Sequence, residues 1–305
     1  MKLIERIHKI RFDWAVRGMR ATPPLLSGSA RYIALSMVQH RDVLPYLLAL
    51  KSLARFLPPA EVVVVADPTI DAADRALLRE HVPHIQLRDA AEFHAAGRVR
   101  GGTWERLWAI AEFAQHSYVV QIDADTVALR PPTDVASAIT DGVSFTLGTD
   151  DGQKIQPTRE VAAWARGRLD GADHVQGLAE ACLDRFDPQG HWHYVRGCSG
   201  FAGFARGSFD GARLMELSAG MQAQLGSKWS AWGTEQVTSN LIVASSPGSR
   251  VLPHPRYCAP HRRNADTVFM HFIGYVRHAS GLYAQVAREV VADLAAPPEL
   301  RRRAS

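Results

Sequence analysis

Cysteine is scarce. The 305 residues hold three, Cys182, Cys198 and Cys258, far apart and odd in number. That excludes a disulfide framework and a thiolate zinc cluster, and it reads as a reducing, cytoplasmic compartment. Long apolar runs are also missing. None reaches the roughly 20 residues that span a bilayer, and the first apolar residues are interrupted by charges, unlike a cleavable signal. Neither sign of charge dominates, with Lys+Arg 35 against Asp+Glu 31 and a net charge of +4. So mild a balance does not argue for nucleic acid; it suits anionic small molecules or an anionic membrane surface. No G-x-G-x-x-G follows the first expected strand and no G-x-x-x-x-G-K-[ST] occurs. Dinucleotide binding of the usual kind and P-loop phosphate binding therefore lose support.

What is present is a globular composition, 47% apolar and 22% charged, with alternating strand and helix patterns. Tyr32–Val38 reads as a strand and Val43–Phe56 as a helix, with Asp42 placed to cap it and Pro58-Pro59 to stop it. Glu61–Ala66 reads as a strand whose Val62–Ala66 run is continuously apolar, as expected of a strand covered on both faces. Asp71–Glu80 then reads as helix, His84–Leu87 as strand, Trp104–Phe113 as helix and Ser117–Leu129 as a fourth strand region. This order predicts a single α/β domain with a mostly parallel central sheet flanked by helices. Further on, Phe145–Gly148 reads as a strand, Glu160–Leu169, His174–Phe186 and Asp210–Leu225 as helices, and Val251–Tyr257 as a strand. Gly197–Gly207 alternates small residues with aromatics, which predicts either close backbone approach or a tight corner.

The ends differ from the middle. Residues 1–30 form a helix candidate and a Pro/Gly/Ser linker. Leu3, Ile7, Ile10 and Trp14 recur at helical spacing, with Lys2, Arg6, Lys9, Arg17 and Arg20 on another face. Such a helix suits an anionic bilayer, or packs on its own domain with a solvated basic face. Residues 281–305 hold a second helix candidate, Tyr283–Leu294, and a basic end, Arg301-Arg302-Arg303.

Within the fourth strand region the apolar residues Tyr118, Val119, Val120 and Ile122 lead straight into Asp123-Ala124-Asp125. Residues two apart in an extended chain share a face. Both carboxylates can thus converge near the C-terminal edge of a sheet, where open α/β folds bind ligands. Two such carboxylates suit a hard divalent cation, and the cation suits a diphosphate. The same spacing also arises from two turn-forming aspartates.

Three other segments join this one in a resemblance. Thr103-Trp-Glu-Arg-Leu107, Val120–Val127, Gly233–Asn240 and His271-Phe-Ile-Gly-Tyr-Val-Arg277 are similar, in order, to motifs of the GT-A glycosyltransferases. They most resemble the retaining family that contains glycogenin and bacterial lipopolysaccharide galactosyl- and glucosyltransferases. The resemblance spans roughly residues 31–278. It implies a GT-A fold with a donor half over 31–148 and an acceptor half over 149–280. It also implies a metal-dependent transfer of a sugar, with retention, from a nucleoside diphosphate such as UDP to an acceptor hydroxyl.

Residue by residue, the resemblance makes Asp123, Asp125 and His271 the metal ligands, with Asp123 also on the donor. One imidazole beside two carboxylates suits Mn²⁺, with Mg²⁺ as the alternative ion. Arg106 falls where the family reaches the donor, or else pairs on a helix surface with Glu105 or Glu112. Arg277 stands where the family has a lysine on the diphosphate, a job a guanidinium can do through a planar fork. Gly274 lies in the same motif. Gln236 and Glu235 align with the residues near the reactive face of the sugar, though Glu235 also suits the first turn of a helix. Ser36, the following Met37–His40 and Asp67 fall near the nucleotide base and ribose by analogy. Cys198 replaces the family's asparagine before Ser199-Gly200, and His278-Ala279 replace its Pro-Trp. Residues 150–196 match nothing in the pattern, so the acceptor, a glycan, glycolipid or other hydroxyl compound, is left unnamed. Two rival readings are a sugar-phosphate nucleotidyltransferase, whose glycine-rich loop is absent from Ser36–Arg41, and a non-catalytic nucleotide- or glycan-binding protein on the same fold.

Overall fold

The computed structural model describes residues 3–169, 174–274 and 276–297. The expected mixed α/β architecture is present, with a large, mostly parallel sheet flanked by helices. The chain divides into two compact units that interleave in sequence. The first takes the start of the chain to Asp89, Ile122–Ala136 and the segment from Pro253; the second takes Ala90–Gln121 and Ser137–Leu252.

In the first unit three parallel strands run in sequence order, Ala30–Val38, Pro59–Ala66 and Ile85–Asp89. Val62–Val65 are fully buried, as their unbroken apolar run requires. The helix Val43–Ala54 presents Leu47, Leu48, Leu50 and Leu53 to this core. A capping box opens the helix Ala72–His81: Asp71 accepts from Asp74 N, and the Asp74 carboxylate accepts from Asp71 N. A second, small sheet belongs to the same unit. Thr126–Ala128 pairs antiparallel with Phe269–His271, which pairs in parallel with Tyr257–Cys258.

In the second unit Phe145–Gly148 lies between Gly197–Phe204, antiparallel, and Arg250–Leu252, parallel. The glycine-rich stretch is a strand that needs its small residues. A Cβ on Gly203 would lie 2.3 Å from Phe145 Cε1 and 2.5 Å from the Tyr118 hydroxyl. One on Gly197 would lie 2.3 Å from Thr146 Oγ1. Close backbone approach to other elements, the first of the two readings, accounts for the pattern.

Several boundaries depart from the sequence reading. Asp42 does not cap the helix at Val43. A short 3-10 turn, His40–Asp42, precedes that helix, and the Asp42 side chain makes no capping bond. The helix expected over His174–Phe186 is two pieces, Val175–Glu180 and Leu183–Phe186, separated by a turn at Ala181-Cys182. Val251–Tyr257 is not one strand. Pro253 and Pro255 remove two ladder donors, and only Arg250–Leu252 and Tyr257–Cys258 remain extended. The N-terminal helix is Leu3–Val16, and its buried residues are Phe12, Ala15 and Val16. These lie opposite the expected stripe of Leu3, Ile7, Ile10 and Trp14. The ring of Phe12 stacks on Tyr283 of the helix Leu282–Ala295 with centroids 3.8 Å apart. Lys2, Tyr275 and the basic end Arg301-Arg302-Arg303 lie outside the described residues.

Candidate metal centre

The strand Val119–Ile122 is fully buried, and Asp123 follows directly. Ser36, buried on the first strand, donates to the Ile122 carbonyl at 2.6 Å and so fixes the point where the chain leaves the strand. The turn is closed by Thr126, whose hydroxyl donates to the Asp123 carbonyl at 2.8 Å. Thr126–Ala128 then resumes as a strand, and its register sets His271 opposite Thr126. Phe272 N donates to the Asp125 carbonyl at 2.8 Å. The pairing brings a residue 146 positions away beside Asp125.

The result is a compact cluster in the first unit. Ligand atoms of Asp123, Asp125 and His271 all lie within 4.8 Å of one another. His271 Nε2 is 3.0 Å from Asp125 Oδ1 and 4.0 Å from Asp123 Oδ2. Around an ion with ligands at about 2.1 Å, neighbouring ligand atoms sit roughly 3 Å apart and opposite ones roughly 4.2 Å apart. Both separations fall within that range, so the side chains fit a divalent ion with little movement. Arg277 donates to Asp125 through the other oxygen, Oδ2. One carboxylate therefore offers separate oxygens to the imidazole side and to the guanidinium. Burial pushes the Asp125 carboxyl up, but His271 and Arg277 outweigh it and hold its pKa at about 2. Burial pulls Arg277 down, and the charge of Asp125 more than offsets this, so the guanidinium stays protonated.

Two members of this neighbourhood escaped the sequence reading. Asp42 stands 3.8 Å from Arg277 Nη1 as a second carboxylate for that guanidinium. The Tyr283 hydroxyl donates to the Ala124 carbonyl at 3.3 Å, between the two aspartates. Neither position carries a local signal, because each meets the site only through tertiary packing. The remaining candidates of this unit lie differently. Asp67 accepts from Thr69 N and its hydroxyl at 2.9 and 2.6 Å, forming a turn at the end of the second strand. Gly274 is exposed, and a Cβ there would meet nothing within 4 Å, so no neighbouring atom demands a glycine.

The second unit holds the other candidates. Trp104–Phe113 forms the expected helix, entered through Gly101 and Gly102 and through Thr103 at φ 73°. Arg106 is buried, so it does not lie on a helix surface, and it pairs with Glu235 at 3.3 Å. Glu105 instead accepts from Gly101 N at 2.8 Å and lies 3.1 Å from His94 Nε2. Glu235 opens the helix Thr234–Ala244 and also accepts from Thr103 and Ser199 hydroxyls, at 3.1 and 3.2 Å. It is therefore more than a first-turn charge. Gly233 precedes it at φ 104°, and a Cβ there would lie 2.9 Å from His174. Gln236 accepts weakly from Ser199 N at 3.4 Å and donates to Gln176 at 3.2 Å. Gln176 leads on to the buried Glu180, which also accepts from Tyr194 and Arg196 at 2.9 and 2.6 Å. Beside Glu180 lies a pocket of about 340 Å³ lined by Lys154, Trp164, Tyr194 and Arg196 among others.

No family model and no curated protein matches the chain. Solved structures of similar backbone course include glycosyltransferases. The galactosyltransferase LgtC, solved with donor and acceptor sugar analogues, is similar at 14% identity over 88% of this chain and 98% of that one, with a TM-score of 0.49. Mouse xyloside xylosyltransferase 1 is similar at 16% identity over 80% and 98%, with a TM-score of 0.48. The bifunctional glycosyltransferase WbbM is similar at 14% identity over 82% of this chain and 47% of that one, with a TM-score of 0.47. Likeness at this level does not transfer an activity, and function is read from the residues of the site.

Proposed function

We propose that the protein is a metal-dependent glycosyltransferase of GT-A type. It moves a hexose from a nucleoside diphosphate, in the first instance UDP, to an acceptor hydroxyl with retention of configuration. One observation carries the reading: two carboxylates and an imidazole from distant segments converge at ion-binding separations, with a guanidinium on the outer oxygen of Asp125. A hard cation with one nitrogen ligand and an adjacent arginine matches the charge of a diphosphate.

In this reading Asp123, Asp125 and His271 hold Mn²⁺, and Mg²⁺ is the alternative ion. When bound, the ion neutralises the charge that grows on the departing diphosphate. Arg277 binds that diphosphate through its fork, while Asp42 and Asp125 orient it. Ser36 acts by setting the strand end, and Asp67 and Gly274 belong to the donor's base and diphosphate side. In the second unit Arg106 positions Glu235, and Glu235 with Gln236 serves the transferred sugar. The acceptor, a glycan or glycolipid hydroxyl, is assigned to the pocket at Trp164, Glu180 and Arg196, which is tied to Gln236 through Gln176.

The test is incubation with UDP-glucose and UDP-galactose, with and without Mn²⁺, followed by proton NMR. The expected result is slow release of UDP that needs the metal, with the sugar product first appearing as the α-anomer. Metal-independent release, or none from any nucleotide sugar that stabilises the fold, overturns the reading.

A further inference from the structure

The N-terminal helix has two apolar faces, and the fold covers one of them. Phe12, Ala15 and Val16 are buried. At about 100° per residue, Leu3, Ile7, Ile10 and Trp14 share an arc of roughly 60° on the opposite side. They are 76%, 42%, 57% and 75% exposed, and Ile4 beside them is 58% exposed. A lone exposed leucine needs no explanation, whereas a row of large apolar side chains that ends in a tryptophan does.

The surroundings identify the occupant. Arg6, Arg11, Arg17 and Arg20 are exposed on the same helix and the turn after it. Lys9 is held by Asp13 at 2.6 Å. A groove of about 670 Å³ runs beside Ile10 and Trp14, with Arg11, Arg17 and Arg288 along it. Among the described residues of the helix, the acids are Glu5 and Asp13. A second copy docking by the same patch would set arginine against arginine. An anionic bilayer answers both features: acyl chains take leucine and isoleucine, tryptophan sits at the headgroup level, and phosphates meet the guanidinium groups. No helix among the described residues is long and apolar enough to cross a membrane, so the contact is with a surface.

We propose that the Leu3–Ile7–Ile10–Trp14 face, flanked by Arg11, Arg17 and Arg288, docks the protein onto an anionic lipid bilayer with the helix lying in the interface. The docked helix is keyed to the metal centre of its own unit. Tyr283 stacks on Phe12 on one side and on Phe272 on the other, the latter with centroids 4.1 Å apart. Phe272 N in turn holds the Asp125 carbonyl. Docking therefore fixes the Asp123–Asp125 turn relative to the lipid surface. The inference stands whether or not the chain transfers sugars.

The experiment is flotation of the full chain with vesicles of phosphatidylcholine alone and of phosphatidylcholine with phosphatidylglycerol. Binding is expected to the anionic vesicles and to weaken with salt. The double variant Ile10→Asp, Trp14→Asp is expected to partition at least roughly tenfold less, from lost apolar contact. Arg11→Glu with Arg17→Glu is expected to reduce binding to the level of neutral vesicles. Both pairs leave the buried side of the helix untouched, so unchanged melting verifies their folding. Equal partition of wild type and the Ile10/Trp14 variant overturns the proposal. So does a concentration-dependent dimer in sedimentation velocity that this variant abolishes, because the occupant is then a second copy.

Discussion

Replacing Asp125 with Asn keeps the shape of the side chain and removes its charge, which separates two roles of one residue. Without metal, Asp125 is the common partner of His271 and Arg277. Its pKa of about 2, against an ordinary 3.8, is a stability statement. A depressed acid contributes fully above its unfolded pKa and loses the contribution as pH falls through the folded one. The displacement corresponds to about 2 kcal/mol at neutral pH, lost between roughly pH 4 and pH 2. Asp125→Asn is thus expected to melt about 3 °C below wild type at pH 7 in chelator. The gap is expected to close as both are taken toward pH 2. With Mn²⁺ added, wild type rises further, whereas the variant needs at least roughly a hundredfold more metal for the same rise, since even an outer partner of a ligand is worth 10–100-fold. Scanning fluorimetry with and without metal reads both effects. An Asn variant that melts like wild type in chelator refutes the energetic argument. One with an unchanged metal response refutes the ligand assignment.

Further outcomes follow from other parts of the structure. His271→Ala is expected to raise the Mn²⁺ concentration for half-maximal stabilisation, and an unchanged titration would return His271 to the role of a packed core residue. Lys51 is buried, donates to Thr22 Oγ1 and the Pro23 carbonyl at 3.0 and 2.7 Å, and has its pKa pulled by burial from 10.5 to about 8, against the opposing charge of Glu80. The unfolded chain then holds a proton that the folded chain releases, so wild-type stability is expected to rise from pH 8 toward 10.5; urea titrations of Lys51→Met should lack that rise, and an identical pH profile contradicts the assignment. Gly203→Ala puts a methyl group against Phe145 and Tyr118 and is expected to cost about 3 kcal/mol; a neutral effect in a chemical melt would mean that the strand shifts freely.

What the sequence disclosed tracks the range of the interactions. The parallel strands of the first unit announced themselves through runs such as Val62–Val65, because a strand buried on both faces needs no partner to be recognised. Asp123 and Asp125 were legible because two residues apart on an extended chain is a local relation. His271 was legible only through a resemblance, since the pairing of Thr126–Ala128 with Phe269–His271 joins three-residue strands too short to show a period. Asp42 read as a helix cap because caps are local, whereas its approach to Arg277 spans the chain. For Arg106 the helical wheel offered only Glu105 and Glu112 as pairing partners beside the donor role that the resemblance implied, for the same reason: Glu235 lies 129 positions away. The N-terminal helix shows the limit of periodicity itself. Its apolar stripe was visible, yet the fold buries the other side, because Phe12 finds a ring stack on Tyr283 that no wheel can display.

Asp123, Asp125 and His271 are proposed to hold an ion that in turn holds a nucleotide diphosphate. The decisive measurement is calorimetric titration of UDP into the protein, first in chelator and then with saturating Mn²⁺. Binding is expected to appear with the metal and to be weakened by Arg277→Ala, which removes both a diphosphate contact and the guanidinium on Asp125. UDP binding of equal strength in chelator and in Mn²⁺ would contradict that assignment.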